Sequence, residues 1–200
     1  MSILFTILKY LIFSLLLIVI SCSSSSSNKK QQEAEERSVQ EIYNSAMDYI
    51  NDNKYTRAHD EFIEVERLHP YSIWATRSQI MTSYVNYKLN KYTDSVSGAL
   101  RYIELHPGAS DIDYAYYLIA LNYYEQINDY RRDQSYTRKA LEAFNNLIRR
   151  FPSSDYSKDA KLKLDLVNDH LAAKEMDIGR TYQSLDNYIS AINRFKTVVE

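Results

Sequence analysis

The chain has 200 residues, with 24 lysines and arginines against 26 aspartates and glutamates and a formal net charge of −2. This balance argues against a nucleic-acid-binding protein and against attachment to a membrane through a polybasic surface. Three glycines and three prolines leave few positions for strand turns, so the composition predicts an all-α fold.

The first 21 residues are predicted to be a secretory signal peptide. Residues 3–8 and 11–20 are almost entirely apolar, and the small residue Ser21 lies directly before Cys22, the single cysteine of the chain. An uncleaved membrane anchor is the alternative, because a spanning helix needs roughly 20 apolar residues. With one cysteine, the chain has no partner for an internal disulfide.

The residues around Cys22 resemble a bacterial lipoprotein signal. The resemblance implies that Cys22 is lipidated and becomes the first residue after cleavage. Residues 22–33, with five serines after the cysteine, are then a polar tether between the lipid and the folded part. An aspartate after the lipidated cysteine tends to retain such proteins in the inner membrane. Because Ser23 stands there, the resemblance implies an outer membrane location, lipid-anchored and facing the periplasm.

A repeated frame organises the rest of the chain. In its first copy Ala58 is followed by Phe62, Val65 and Pro70, at distances of four, seven and twelve residues. The first three positions share one face of a helix, and the proline ends that helix. The frame returns at three further small residues: Ser95, Ala140 and Ala191. Any amphipathic helix can show part of this spacing, but the twelve-residue step accounts for all three prolines.

A second small residue lies upstream of each frame, at Ala46, Ser83, Ala120 and Gly179. Each unit is therefore predicted to be a pair of antiparallel helices that meet at small residues. The pattern resembles the tetratricopeptide repeat, and Tyr182-x-x-Leu185-x-x-Tyr188-x-x-Ala191 is the closest match. The resemblance implies an all-α superhelix over residues 34–200. Its units are predicted at about residues 34–70, 71–107, 108–152 and 153–200, the last incomplete.

The first helix is predicted from about residue 34 to residue 51, and Ser72 is predicted to cap the third helix. Gln79, Thr82 and Asn86 occupy positions of that third helix that face inward and are usually apolar. Either these side chains find partners inside the fold or the helix is rotated.

The helix that follows Phe151 meets no breaker before Gly179. It is therefore predicted to be two or three turns longer than the first helices of the other pairs. Its early apolar face is predicted to comprise four residues: Leu162, Leu166, His170 and Leu171.

The concave side of the superhelix is the first candidate site, because the first helix of each pair lines it. Aromatic rings with polar tips suit an extended peptide with alternating apolar side chains. Six tyrosines are predicted to point into the concave side: Tyr43, Tyr84, Tyr87, Tyr114, Tyr117 and Tyr124. Some of them can instead pack against neighbouring repeats.

The second candidate site is an insertion of eight residues within residues 127–137. Its charged residues include Arg131, Arg132 and Asp133. Insertions in repeat arrays form loops on one face and often contact partners. A solvated loop without a role is the alternative.

The sequence does not support catalysis. It has no cysteine besides Cys22, no glycine-rich loop for phosphate and no histidine pair with metal-ligand spacing. We therefore predict a protein that is not an enzyme and that uses no cofactor and no metal.

The order of these features resembles the BamD family of lipoproteins of the outer membrane β-barrel assembly machinery. The features are the lipoprotein signal, the tether, the repeats, the inserted loop, an F-P-x-S-x-Y run from Phe151 and the pair Asn193-Arg194. The resemblance implies a periplasmic scaffold that binds BamA through its C-terminal repeats, with Arg194 in the contact region. It also implies binding of other assembly lipoproteins and of unfolded outer membrane proteins along the N-terminal repeats.

Members of that family usually carry a fifth helix pair, which is missing from these 200 residues, so we expect either a fragment or a short member. The alternative function is a periplasmic tetratricopeptide adaptor that serves the cell wall or the division machinery.

Overall fold

The structure is a computed structural model that describes residues 37–199. The signal peptide, Cys22 and the tether lie outside the described residues. Within residues 37–199 the chain forms eight α-helices and no strand. They are α1 Val39–Asn51, α2 Tyr55–Leu68, α3 Ile73–Lys88, α4 Tyr92–Leu105, α5 Ile112–Tyr124, α6 Ser135–Arg150, α7 Asp155–Ser184 and α8 Tyr188–Val199. The predicted all-α class is confirmed.

Serine side chains set the start of three helices. Within the described residues α1 begins at Val39 rather than near residue 34, because Ser38 caps it. The Ser38 N–H donates to Glu41 Oε2 at 2.8 Å, and the Glu41 N–H donates to Ser38 Oγ at 3.3 Å. Ser72 caps α3 as predicted, since its Oγ accepts from the Ala75 N–H at 3.1 Å. Ser154 caps α7 in the same way.

The helices pack as four pairs that meet at small residues, as the repeated frame predicts. Ala46 of α1 and Ala58 of α2 are fully buried in one cluster, and Ala120 of α5 and Ala140 of α6 in another. In the last pair Gly179 lies directly against the ring of Phe195, so a Cβ added at that position would enter the ring. The pairs form the predicted tetratricopeptide-like array.

The turns inside three of the pairs share one local structure. Asn53, Asn90 and Asp186 each have a positive φ, between 58° and 59°. The side-chain oxygen of each accepts a hydrogen bond from the tyrosine two residues later, at 2.7 Å for Asn53 and Tyr55. Asparagine and aspartate tolerate this left-handed conformation better than other residues with a Cβ. This short motif therefore reverses the chain with little strain.

Successive pairs are held together through their first helices. Besides the contacts between helices that are neighbours in the chain, α1 contacts α3, α3 contacts α5, and α5 contacts α7. In a repeat array of this kind the first helices line one common face. The side chains of α3, α5 and α7 on that face can therefore form one surface.

Only some of the polar side chains of α3 have a hydrogen-bond partner. Gln79 Oε1 lies 2.9 Å from His106 Nε2, which joins α3 to the end of α4. Asn86 is buried, and no hydrogen-bond partner is found for the hydroxyl oxygens of Ser78 and Thr82. The core of the second pair therefore contains polar groups that are only partly satisfied by hydrogen bonds.

Two details of α7 differ from the prediction. The helix is longer than the first helices of the other pairs, as predicted, but by more than two or three turns: it has 30 residues, against 13 in α1, 16 in α3 and 13 in α5, a difference of about four to five turns. Leu162 and Leu166 are 72% and 45% exposed, so the predicted apolar face is wrong for these two residues. The buried face instead holds Ala160 and Val167, because a small residue at 160 lets the helix approach the core around Phe144 and Leu147.

Candidate functional site

Five tyrosines from three helices form one continuous group, which we call the tyrosine surface: Tyr84, Tyr87, Tyr114, Tyr117 and Tyr156. Tyr84, Tyr87 and Tyr114 pack half-buried on the same core cluster of α3, α4 and α5. The Tyr156 ring lies 5.3 Å from the Tyr114 ring and 5.1 Å from the Tyr117 ring, stacked on the latter. Rings of neighbouring helix pairs are thus in direct contact.

Carboxylates of the next pair accept hydrogen bonds from two of these phenols. Tyr87 donates to Glu125 Oε1 at 3.0 Å, and Tyr117 donates to Asp159 Oδ2. Burial and then these hydrogen bonds raise the pKa of both phenols well above the usual range. The two hydroxyls therefore remain donors at neutral pH and connect α3 with the end of α5, and α5 with α7.

Two further carboxylates lie at the start of α5, where a turn follows Pro107. Asp111 stands directly before α5, but its side chain makes no capping bond and accepts instead from the Tyr102 hydroxyl at 2.6 Å. Asp113 accepts from the Ser154 hydroxyl at 2.6 Å, which joins α5 to the start of α7.

The six tyrosines predicted to line the concave side fall into two sets. Tyr84, Tyr87, Tyr114 and Tyr117 belong to the tyrosine surface. Tyr43 instead packs against Phe62 and Trp74, at ring distances of 5.5 and 4.9 Å. Tyr124 meets Phe144 edge to face at 5.9 Å.

Tyr156 is a member of the surface that the sequence analysis did not single out. It belongs to the F-P-x-S-x-Y run that ends one helix and begins the next. Its place two residues after the cap Ser154, in the first turn of α7, is a signal that could have predicted its proximity to α5.

The inserted loop is organised around one buried amide. Gln134 is 3% exposed, and its Nε2 donates to the carbonyl oxygens of Asp129, Tyr130 and Arg132, each at 3.2 Å. Its Oε1 accepts from the Thr137 hydroxyl at 2.8 Å. These bonds satisfy three loop carbonyls and hold residues 129–134 in one conformation.

The three predicted contact residues of this loop are exposed but have different surroundings. Arg131 lies over the Tyr130 ring at 5.4 Å, and its carbonyl accepts from Lys174 Nζ of α7 at 2.9 Å. Hydrogen bonds from the Ser135 side chain and then from the Ser135 N–H, the latter at 3.1 Å, lower the pKa of the Asp133 carboxyl and stabilise the start of α6. Arg132 is exposed.

Arg194 lies at the other end of the array. Its guanidinium forms an ion pair with Glu175 at 3.0 Å, between α8 and α7. A shallow cavity of about 270 Å³ lies beside it, lined by Tyr182, Ser190, Asn193, Arg194 and Thr197. The apolar residues Tyr188, Ile189 and Ile192 of α8 are exposed.

Two properties of residues 37–199 bear on other kinds of site. No helix in this range has the length and apolarity needed to cross a membrane. The range also contains no cluster of three or more histidine, cysteine, aspartate or glutamate side chains placed to hold a metal ion.

Comparison with known proteins identifies relatives over the same region. A family model described as YfiO, outer membrane lipoprotein, matches residues 35–200. The chain is 46% identical over 166 residues to the outer membrane protein assembly factor BamD of Caulobacter vibrioides, an alignment that covers 83% of this chain and 54% of that protein. It is 40% identical to the protein of that name from Rickettsia prowazekii, over 80% of this chain and 63% of the other.

The chain thus spans about half to two thirds of the length of these relatives. Among solved structures, MamA from Desulfovibrio magneticus matches with 18% identity and a TM-score of 0.47, over 82% of this chain and 76% of that one.

The family model covers every residue that the structure describes, and the two relatives share a third or more of their aligned residues with this chain. The chain therefore belongs to the YfiO family of outer membrane lipoproteins, the family of the BamD assembly factors.

Proposed function

We propose that this chain is a non-enzymatic lipoprotein scaffold of the outer membrane β-barrel assembly complex. In this proposal Cys22 carries the lipid, and the repeats face the periplasm at the outer membrane. The C-terminal pair binds BamA, and the inserted loop with Arg131, Arg132 and Asp133 contacts a further assembly lipoprotein. The first helices hold unfolded outer membrane proteins.

The tyrosine surface is the observation that carries this proposal. It extends across three consecutive first helices, from α3 through α5 to α7, and its rings remain partly exposed. An extended peptide that crosses several repeats buries apolar side chains against such rings and hydrogen-bonds to the polar tips. A surface of this form suits many sequences, as a receptor for different unfolded clients requires.

Contact with BamA through the last pair is supported by a different surface. Arg194 and Glu175 are paired at its edge, and exposed apolar residues of α8 lie next to it. Protein interfaces commonly combine an apolar centre with charged residues at the rim. The same helix carries both features, which makes it the best candidate on the described chain.

Co-purification from outer membranes tests the proposal. We expect BamA to be recovered with the full-length protein in detergent, and Arg194→Ala to reduce the recovered BamA about fivefold, as loss of one interface arginine typically does. Arg149→Ala is the matched control, because Arg149 of α6 is also exposed and also bonds a neighbouring side chain. Absence of BamA from the wild-type eluate would contradict the proposal and favour an adaptor for the cell wall or the division machinery.

A further inference from the structure

Most of the charged groups that face the tyrosine surface are carboxylates. Glu125 and Asp159 accept from Tyr87 and Tyr117, which places one negative charge beside each of these rings. Asp111 and Asp113 lie close enough to Tyr156 that their charges contribute to the raised pKa of its phenol, after burial. Four carboxylates therefore border five tyrosine rings.

The basic groups nearby are fewer and already engaged. Lys163 forms an ion pair with Asp159 at 3.2 Å and lies 5.6 Å above the Tyr124 ring. Arg77 lies over the Trp74 ring at 5.3 Å. Lys158 is paired with Asp155 at 2.7 Å. The tyrosine surface is consequently acidic, although the whole chain is nearly neutral.

We propose that the tyrosine surface selects extended polypeptide segments in which aromatic or aliphatic side chains alternate with lysine or arginine. The inference rests on the proposed function and adds the chemical class of client that binds there. A cation over a tyrosine ring is attracted by the negative face of the ring, and a nearby carboxylate adds to this attraction. A segment with aspartate or glutamate at the same positions meets like charge and is disfavoured.

Lysine and arginine are also suited to the half-buried character of the rings. Their aliphatic stems can lie along an aromatic face while the charged head stays hydrated near a carboxylate. The phenol that donates to Glu125 leaves the second oxygen of that carboxylate able to accept from a ligand, whereas the second oxygen of Asp159 already accepts from Lys163 at 3.4 Å. The same rings can therefore hold an apolar residue and its basic neighbour together.

Binding of matched synthetic peptides to the full-length protein in detergent tests this inference. In all three peptides every second residue is tyrosine or leucine. The positions between these residues are all lysine in one peptide, all serine in the second and all glutamate in the third. By fluorescence anisotropy we expect the lysine peptide to bind about tenfold more tightly than the glutamate peptide, with serine between them. The difference should shrink at high salt because the carboxylates are partly exposed.

A double variant tests whether the preference for the lysine peptide arises at the tyrosine surface. Glu125→Gln with Asp159→Asn removes two negative charges but keeps an oxygen that accepts from each phenol. It should reduce the preference for lysine over glutamate to about threefold or less. Asp94→Asn with Glu142→Gln is the matched control, because both residues are exposed on second helices, α4 and α6. The control should leave the preference unchanged.

The possible results separate this inference from the proposed function. Equal binding of the lysine and glutamate peptides would overturn the charge preference and leave the receptor role intact. An unchanged preference in the Glu125 and Asp159 variant would show that the basic segments bind elsewhere. Failure of all three peptides to bind would overturn both the preference and the client-binding part of the proposed function. A dimer by sedimentation that the same double variant dissociates would identify a second copy as the occupant instead.

Discussion

At the scale of single residues, side-chain size controls how closely the two helices of a pair approach. The small residues of the repeated frame are buried where the helices meet, and larger side chains such as Phe62 and Phe144 fill the space beside them. Protein interiors are close-packed, so an added methyl group at such a crossing must displace its neighbour.

Gly179→Ala tests this statement in the last pair. The new Cβ would enter the Phe195 ring, and we expect a loss of about 1 kcal/mol in the free energy of unfolding, after allowing for the better helix propensity of alanine. Urea denaturation followed by circular dichroism measures the change. Gly108→Ala is the control, because nothing lies within 4 Å of a Cβ there. An equal effect of the two substitutions would contradict the role assigned to Gly179.

Residue-scale reasoning from the sequence found most of the tyrosine surface but not all of it. Counting from the small residues singled out Tyr84, Tyr87, Tyr114 and Tyr117, which the structure brings into one group. The same counting could not tell that Tyr43 meets Trp74 instead, because that contact depends on the angle between α1 and α3.

At the scale of elements, the inserted loop shows how a segment without regular structure can be held in place. Three of its backbone carbonyls accept from the amide of Gln134, and a fourth, that of Arg131, accepts from Lys174 of α7. Buried polar groups need such partners because an unpaired one costs about 1–3 kcal/mol. The sequence predicted an insertion here, but it did not indicate that a glutamine would organise it.

Gln134→Leu should therefore loosen the loop without unfolding the helix pairs. We expect amide hydrogen exchange to accelerate over residues 129–134 and the free energy of unfolding to fall by about 1–2 kcal/mol, because the loop carbonyls lose their donor. Asn128→Ala is the control within the loop, since its exposed side chain makes one hydrogen bond, to the Gln126 carbonyl. Unchanged exchange in the Gln134 variant would show that the contact with Lys174 is sufficient to order the loop.

At the scale of the whole molecule, the tyrosine hydroxyls that lie between repeats make the free energy of unfolding decrease at alkaline pH. Burial is the main cause of a raised pKa at four of them, Tyr87, Tyr102, Tyr114 and Tyr117. In the unfolded chain a tyrosine ionises near its usual pKa of about 10. Above that pH the unfolded state loses protons that the folded state retains, so stability falls as the pH rises.

The free energy of unfolding should thus be insensitive to these four groups up to about pH 10 and decrease above it. Replacement of Tyr87 and Tyr117 by phenylalanine should make the decrease less steep, at a cost of about 1 kcal/mol per lost hydrogen bond at neutral pH. Urea denaturation between pH 8 and pH 11 measures both effects. Tyr71→Phe is the control, because Tyr71 is 101% exposed. The same steepness in the double variant and the wild type would contradict this account.

The sequence by itself determined the repeat architecture. The spacing of small residues, larger apolar residues and prolines is local. It determines which side chains share one face of a helix of three or four turns and where that helix ends. Within residues 37–199 the structure confirms the four helix pairs that this spacing predicts.

Only the tertiary structure decided which side chains meet across the pairs. The bond between Tyr87 and Glu125 joins residues 38 positions apart, and the one between Tyr117 and Asp159 joins residues 42 apart. Such contacts depend on the angle at which one helix pair stacks on the next, a property of the packed core and not of any local pattern. The buried face of α7 was mispredicted at Leu162 and Leu166 for the same reason, because it is Ala160 and Val167 that pack against the core of the third pair.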